Sequence, residues 1–429
     1  MDREITLNHI TKIEGHAKLD LSIKDGMVEK CELSSVEGSR YFEGLVKGRQ
    51  YKEAHEITSR ICGICSSAHV IAAITAIEDA LGYKPTKQTK ELRKLLTLGE
   101  RIRSHATHLY FLALPDYLGY ESALAMAAEY KSELKRALTL VKAGNNIIRI
   151  LAGRDLHPVS ATVGGWLKLP TQQEMKELAE QLQEAKNDAI KTCELFFKLK
   201  YPEMTTQSEW FSLKDHHEYA MLDGQFCSST ECFKKEEYKK FITEYHEARS
   251  TANFVVKNDH RYFVGALARF NNNHAQLSPT AKDLLKQSGI PMPSKNPYHN
   301  NIAQAIEIVH CIDHAIHICS SLEIKDEPVD MIPIKAGRGV ACIEVPRGTL
   351  WHEYIIDEKG VIAYANIITP TAQNLLNMQE DIRAGIPSLI KEKSKSELVM
   401  DIEKLIRSYD PCFSCSAHFL EVNWLNEDK

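Results

Sequence analysis

Apolar and polar positions alternate near the N-terminus. Ala17, Leu19, Leu21 and Ile23 share one face of a period of two, with Lys18, Asp20 and Ser22 between them. That pattern predicts a half-buried strand. Lys24-Asp25-Gly26 supplies a turn, and Met27, Val28, Cys31 and Leu33 predict the returning strand. After Gly38 the period becomes helical. Val70, Ile71, Ile74, Ile77 and Leu81 recur at helical spacing and stop at Gly82. Residues 88–113 and 122–152 predict two long, central helices. Thr171 and Glu174 form a capping-box signature, followed by Met175, Leu178, Leu182, Ala185, Ala189 and Cys193 on one helical face. Residues 201–233 lack periodicity and predict a loop-rich excursion. Ser278-Pro279 opens a helix that stops near Gly289, and another long helix covers about 299–322.

The pattern returns to β over 338–369. Trp351–Ile356, a Lys359-Gly360 turn and Val361–Ile368 predict a hairpin, with helices following at about 371–380 and 396–408. There is no internal repeat and no Gly/Ser linker. The predicted fold is mainly α, of the α+β kind. It is one large unit with a central bundle of long helices and small β-sheets near the N-terminus and around 338–369.

Composition narrows the function classes. The chain has 429 residues, 43% hydrophobic and 26% charged, with 53 basic against 58 acidic side chains. Disorder and collagen are excluded, and a slightly acidic balance argues against nucleic acid as a partner. No stretch is long and apolar enough for a membrane helix, and MDREITLNH lacks the apolar core of a signal peptide. A cytoplasmic location is the expectation. Eighteen histidines and eleven cysteines shift attention to metals.

Two motifs carry the chemistry. One is Arg60-Ile-Cys62-Gly-Ile-Cys65-Ser-Ser-Ala-His69, and the other is Asp410-Pro411-Cys412-Phe-Ser-Cys415-Ser-Ala-His418. Each CxxC brings two sulfurs within reach of one ion. Two of them supply enough thiolate for a zinc, an iron–sulfur cluster or a dinuclear thiolate-bridged site. Cys65 opens a predicted helix, whose positive end favours the thiolate. Structural zinc pairs lie closer in sequence than these, which are separated by most of the chain.

Three more blocks accompany them in order: Lys12-Ile-Glu14-Gly15-His16; Gly153-Arg154-Asp155-Leu-His157-Pro158 with Gly164-Gly165; and Glu344-Val-Pro346-Arg347-Gly348. Together, from about residue 4 to His418, the chain resembles the large, catalytic subunit of the nickel–iron hydrogenases. Lys12 stands where that family has arginine.

The resemblance implies the site residue by residue. Cys62, Cys65, Cys412 and Cys415 would bind nickel, with Cys65 and Cys415 bridging to an iron that carries carbon monoxide and two cyanides. Arg347 would lie over the metals beside Pro346, held by Asp116 and Asp410. The Thr371 hydroxyl would sit beside a cyanide, and His69 would donate to a bridging sulfur. Glu43 and His418 would hold a third, hydrated metal, magnesium in the family. Cleaving H2 into hydride and proton needs a Lewis-acidic metal pair and a nearby base. Cys412 would take the proton and Glu14 would relay it outward.

The other cysteines (31, 193, 227, 232, 311, 319 and 342) show no cluster spacing. Electrons would therefore leave through a partner, in this family an iron–sulfur small subunit close to the His157 block, with further electron-transfer subunits. The expected domain is 1–418. The extension 419–429 is expected to be removed by a nickel-dependent maturation endopeptidase. The family branch with the nearest features is cytosolic, multi-subunit and bidirectional.

Two other classes compete: a non-catalytic relative (an H2 sensor or a scaffold subunit) and a zinc-stapled helical protein. His310, His314 and His317 read as an ordinary helix face rather than a ligand set, and Cys227/Cys232 as a loop disulfide or a chance pair. Ser104, His105 and His108 are expected to pack and hydrogen-bond near the site. Val264-Gly265-Ala-Leu-Ala-Arg269 is family-like but has no assigned role.

Overall fold

Strands β1 (Arg3–Leu7), β2 (Ala17–Lys24) and β3 (Met27–Ser35) form an antiparallel sheet in that order. Ala17, Leu19, Leu21 and Ile23 are buried, as their alternation requires. The computed structural model describes residues 3–25, 27–38, 41–389 and 393–417. His418 and the extension 419–429 lie outside the described residues, so the readings made for them rest on sequence.

Helix α1 (Ser66–Leu81) is apolar almost all round and buried accordingly. α2 (Lys87–Thr107) runs into a π-helical segment, His108–Ala113. α3 spans Lys131–Ala152, not the expected 122–152. Residues 121–129 instead close on themselves through Ser122, whose hydroxyl accepts from the Ala125 amide and whose carbonyl accepts from Met126. Local side-chain-to-backbone bonding overrides the helix propensity of the alanines there. α4 (Gln172–Phe197) carries the predicted capping box, with both reciprocal bonds between Thr171 and Glu174. α5 (Ala266–Asn273) and α6 (Pro279–Ser288) precede α7 (Asn300–Ser321). α2, α3, α4 and α7 pack in a ring, α2 on α3, α3 on α4, α4 on α7 and α7 on α2, which makes the central bundle.

The excursion after α4 contains short strands stapled by a Cys227–Cys232 disulfide. They enclose an aromatic cluster of Phe211, Phe226, Phe233, Tyr262 and Trp351. A second antiparallel sheet follows: β4 (Gly337–Val345), β5 (Gly348–Ile356) and β6 (Ile362–Ile368). The expected hairpin is β5–β6, and β4 is the additional strand. α1 packs across β4 and β5, α8 (Pro370–Leu389) packs on β3, and α9 (Lys395–Ser408) leads to the C-terminal motif. Among the described residues no helix is long and apolar enough to cross a membrane.

Candidate metal centre

The four cysteines of the two motifs meet. Cys62 follows a short 3-10 turn, Cys65 caps the start of α1, Cys412 precedes the final helical turn, Phe413–Ser416, and Cys415 lies within it. Their sulfurs all lie within 4.8 Å of one another and all four residues are buried. Cys62 and Cys412 sulfurs are 3.6 Å apart, Cys65 and Cys415 3.2 Å, and Cys412 and Cys415 2.7 Å.

A strand-like bridge ties the chain's two ends at this point. Glu14 pairs in parallel with Cys412, and the Phe413 amide donates to the Glu14 carbonyl at 2.9 Å. The next residue, Gly15, has φ +80, and a Cβ there would lie 2.7 Å from the Ser414 nitrogen. Glycine is therefore needed after Glu14 both for its backbone angle and for the close approach. With the backbone so fixed, the Glu14 carboxylate accepts from the Cys412 thiol (2.9 Å) and the Ser414 amide (3.2 Å).

Arg347 is buried and bonds Asp410 at 3.1 Å and the Ser104 hydroxyl at 3.4 Å. Its Nε has no partner among the described residues. Asp116, expected to help hold Arg347, is taken up by Lys12 and Arg407 instead. Lys12, the departure from the family pattern, thus supplies one of the two cations of Asp116. Thr371 accepts from the Cys412 amide at 2.8 Å, leaving its hydroxyl proton to donate. Thr371, Pro346, Arg347 and His69 line one small cavity with Cys65, Cys412, Cys415, Val345, Leu350 and Pro370. His69 pairs there with His352 (3.1 Å), which pairs with the Tyr354 hydroxyl (2.9 Å).

The electrostatics suit multivalent cations. Burial pushes the Cys412 and Cys415 thiols well above their ordinary range, whereas hydrogen bonds from Cys412, Cys415 and Cys65 hold Cys62 below it. At Cys65, bonding from Cys412 and Cys415 pulls down, but the Cys62 sulfur and burial leave it at about 11. The helix end expected to favour this thiolate is answered by Glu100, which accepts from the Ser67 (2.7 Å) and Ala68 (3.2 Å) amides. Arg347 is the charged side chain on this cavity wall, so one cation faces a four-thiol set. Soft sulfur donors at these separations fit nickel and iron, and a wall of Val345, Pro346, Leu350 and Pro370 with the Arg347 and Thr371 donors fits small diatomic ligands on a metal.

Glu43 accepts from the Ile367 amide at 2.7 Å, and burial pushes its carboxyl up to about 7. Burial likewise raises Glu244 to about 7, with the Glu43 charge adding to it. Asn366 donates to Glu244 at 2.8 Å, while its own oxygen and that of Asn253 are buried with no hydrogen-bond partner among the described residues. Such oxygen donors fit a hard cation. Glu244, Glu100 and His352 carried no sequence signal, because each is a single residue outside the motifs.

The residues set aside behave as ordinary structure. His310 accepts from the Ser278 amide (3.0 Å), and Asp313 takes the Ser278 hydroxyl and Lys186. His105 bonds Glu307 and His108 bonds Gln304 beside the site.

Residues 40–146 and 258–418 match the family model described as nickel-dependent hydrogenase. The alpha subunit of sulfhydrogenase 1 of Pyrococcus furiosus is 37% identical over 97% of this chain and 98% of its own length. The corresponding subunit of the F420-non-reducing hydrogenase of Methanothermobacter marburgensis is 28% identical over 97% and 95%. A crystal structure of an NAD+-reducing nickel–iron hydrogenase in the H2-reduced state superposes with TM-score 0.87 at 25% identity, covering 97% of this chain and 99% of that one. The nickel–iron–selenium hydrogenase of Desulfomicrobium baculatum has the same fold, with TM-score 0.81 at 22% identity over 97% and 100%.

Proposed function

The chain belongs to the nickel-dependent hydrogenase family, and from that membership we propose how its residues carry out reversible H2 cleavage. The observation that carries the proposal is the meeting of four buried sulfurs with the Glu14 carboxylate at Cys412.

Cys62, Cys65, Cys412 and Cys415 would hold a nickel–iron pair, whose iron would carry carbon monoxide and cyanide in the apolar pocket beside Pro346. When bound, the pair supplies the Lewis acidity that splits H2 heterolytically. The Cys412 sulfur accepts the proton. Glu14, half-buried and 2.9 Å away, takes it on and carries it outward. Arg347 keeps its charge at any accessible pH, because guanidinium parts with its proton reluctantly. It stands over the site as a fixed cation oriented by Asp410. Pro346 and the other apolar wall residues exclude water. Thr371 and His69 orient the sulfur and ligand atoms they face.

Glu43 would help hold a magnesium, with His418 as the second ligand implied by the sequence motif. The other cysteines support export of electrons through a partner. Two form a disulfide, and the rest are buried and dispersed. That partner is an iron–sulfur small subunit in a cytoplasmic complex with further electron-transfer subunits. The family match ends at residue 418, which supports removal of 419–429 by a maturation endopeptidase.

The test is an infrared spectrum of the anaerobically purified native complex, with metal content measured on the same sample. Carbonyl and cyanide bands together with nickel and iron are expected. Zinc alone, with no such bands, from cells containing the maturation proteins would refute the assignment.

A further inference from the structure

Two buried guanidiniums hold three consecutive carbonyls on the segment that leads into Arg347. Arg269, on α5, is completely buried and uses all five of its N–H groups. Its Nε donates to Glu307 Oε1 at 2.6 Å. One terminal nitrogen donates to Glu307 Oε2 (2.7 Å) and the Pro346 carbonyl (2.9 Å), and the other to Glu344 Oε2 and the Val345 carbonyl, both at 2.9 Å. Arg101, on α2, donates to the Glu344 carbonyl at 2.7 Å.

The two carboxylates are themselves pinned. Glu344 Oε1 accepts from the Leu213 amide at 2.7 Å, and Glu307 is bonded by His105 and Tyr219. The residue after Arg347 is locked as well. Gly348 has φ +137, and a Cβ there would lie 2.3 Å from Val264 and 3.1 Å from the Gly265 nitrogen. The Val264–Arg269 segment therefore packs directly against the turn that carries Arg347.

Burying two arginines and two glutamates is a poor way to gain stability, since well-packed apolar residues of similar size serve as well. What such a cluster supplies is geometry. A planar guanidinium fixes the spacing of two carbonyls at once, which a single ammonium cannot do. We propose that Arg269, assisted by Arg101, is a positioning residue for Arg347. It clamps the Glu344–Pro346 backbone so that the Arg347 guanidinium meets the four-cysteine site in one orientation. The proposal rests on the hydrogenase reading above.

A double-mutant cycle in the native complex, made with its maturation proteins, tests this. Arg269→Lys keeps the charge but cannot reach both carbonyls. It is expected to lower kcat for H2 oxidation about 10- to 100-fold, with the KM for H2 nearly unchanged and nickel and iron fully loaded. In an Arg347→Lys background the same change is expected to cost little more than nothing, because the group it positions is gone. The cyanide bands of Arg269→Lys should shift in the same direction as those of Arg347→Lys. An equal loss in both backgrounds, or no loss in either, overturns the proposal.

If Arg269→Lys fails to accumulate with metal, Arg101→Lys, which removes the bond to the Glu344 carbonyl, goes through the same cycle with the same two outcomes. The unaltered complex separates the two claims. Nickel, iron and turnover there uphold the hydrogenase reading whatever the cycle gives, and their absence sinks both.

Discussion

The Cys412 sulfur and the Glu14 carboxylate lie 2.9 Å apart although 398 residues separate them in the chain. The backbone bridge between the same two residues makes that contact a property of the fold rather than of two flexible side chains. Glu14→Gln keeps the size and a hydrogen-bonding carbonyl but cannot accept the proton as a carboxylate does. H2 oxidation is expected to fall about 100-fold or more, while the infrared bands and metal content stay as in the parent. Turnover within a few-fold of the parent would show that protons leave by another route.

Arg347 is oriented by Asp410 on one side and Ser104 on the other. Arg347→Lys keeps the charge but loses the planar fork, so kcat is expected to drop about 100-fold. Steady-state kinetics would show the loss in kcat rather than in the KM for H2. A change confined to KM would mean that Arg347 serves gas binding and not the chemical step.

Asp116 is shared by Lys12 and Arg407, and Arg407 also donates to the Thr11 carbonyl at 2.8 and 3.0 Å. Arg407→Ala therefore leaves Asp116 with the less buried Lys12 alone and strips the Thr11 carbonyl of its donors, and is expected to destabilise the chain by about 2–3 kcal/mol. Lys12→Ala should destabilise less, because Asp116 retains Arg407. Lys12→Arg, which restores the family residue, should leave stability within about 0.5 kcal/mol. Urea midpoints order the three variants, and a Lys12→Ala loss equal to that of Arg407→Ala would contradict the division of roles.

Burial holds the His105 imidazole down at about 4 from its ordinary 6.5, and its Nε2 lies 2.7 Å from Glu307. Between pH 6.5 and 4 the unfolded chain binds this proton and the folded chain does not. Stability therefore rises with pH across that window and is lost on acidification, by about 3 kcal/mol in all for a shift of this size. Below about 4 both states carry the proton and the contribution levels off. His105→Gln, which can still bond Glu307, should shallow the slope of unfolding free energy between pH 4 and 6.5. An unchanged slope would assign the acid sensitivity to other groups such as His55, also held at about 4 by burial.

Elements with a strong local period were legible in the chain. The capping box at Thr171 and Glu174, the helix begun by Ser278-Pro279 and the β5–β6 hairpin all form where their patterns place them. The start of α3 was not legible. Helix propensity runs on through residues 122–130, but turns closed by Ser122, Leu124 and Met126 take the place of a helix there. The excursion after α4 gave no period because its strands are two to four residues long, shorter than alternation needs to register.

The candidate cysteines were written in the sequence, because the spacing within each CxxC motif is short enough to dictate that its two sulfurs can share an ion. The tertiary structure decided which groups surround that set. The family pattern gives Asp116 to Arg347, yet the cations it meets are Lys12 and Arg407, 104 and 291 residues away. Arg269 stood in a recognisable motif, and its purpose emerged only when its five donors were seen to end on Glu307, Glu344, Val345 and Pro346. Glu244 and Glu100 acquire their raised carboxyls from burial that no window of the chain encodes. The division has one physical cause. Backbone geometry and side-chain period are local and repeat within an element, whereas desolvation and charge pairing depend on neighbours brought together only when the whole chain packs.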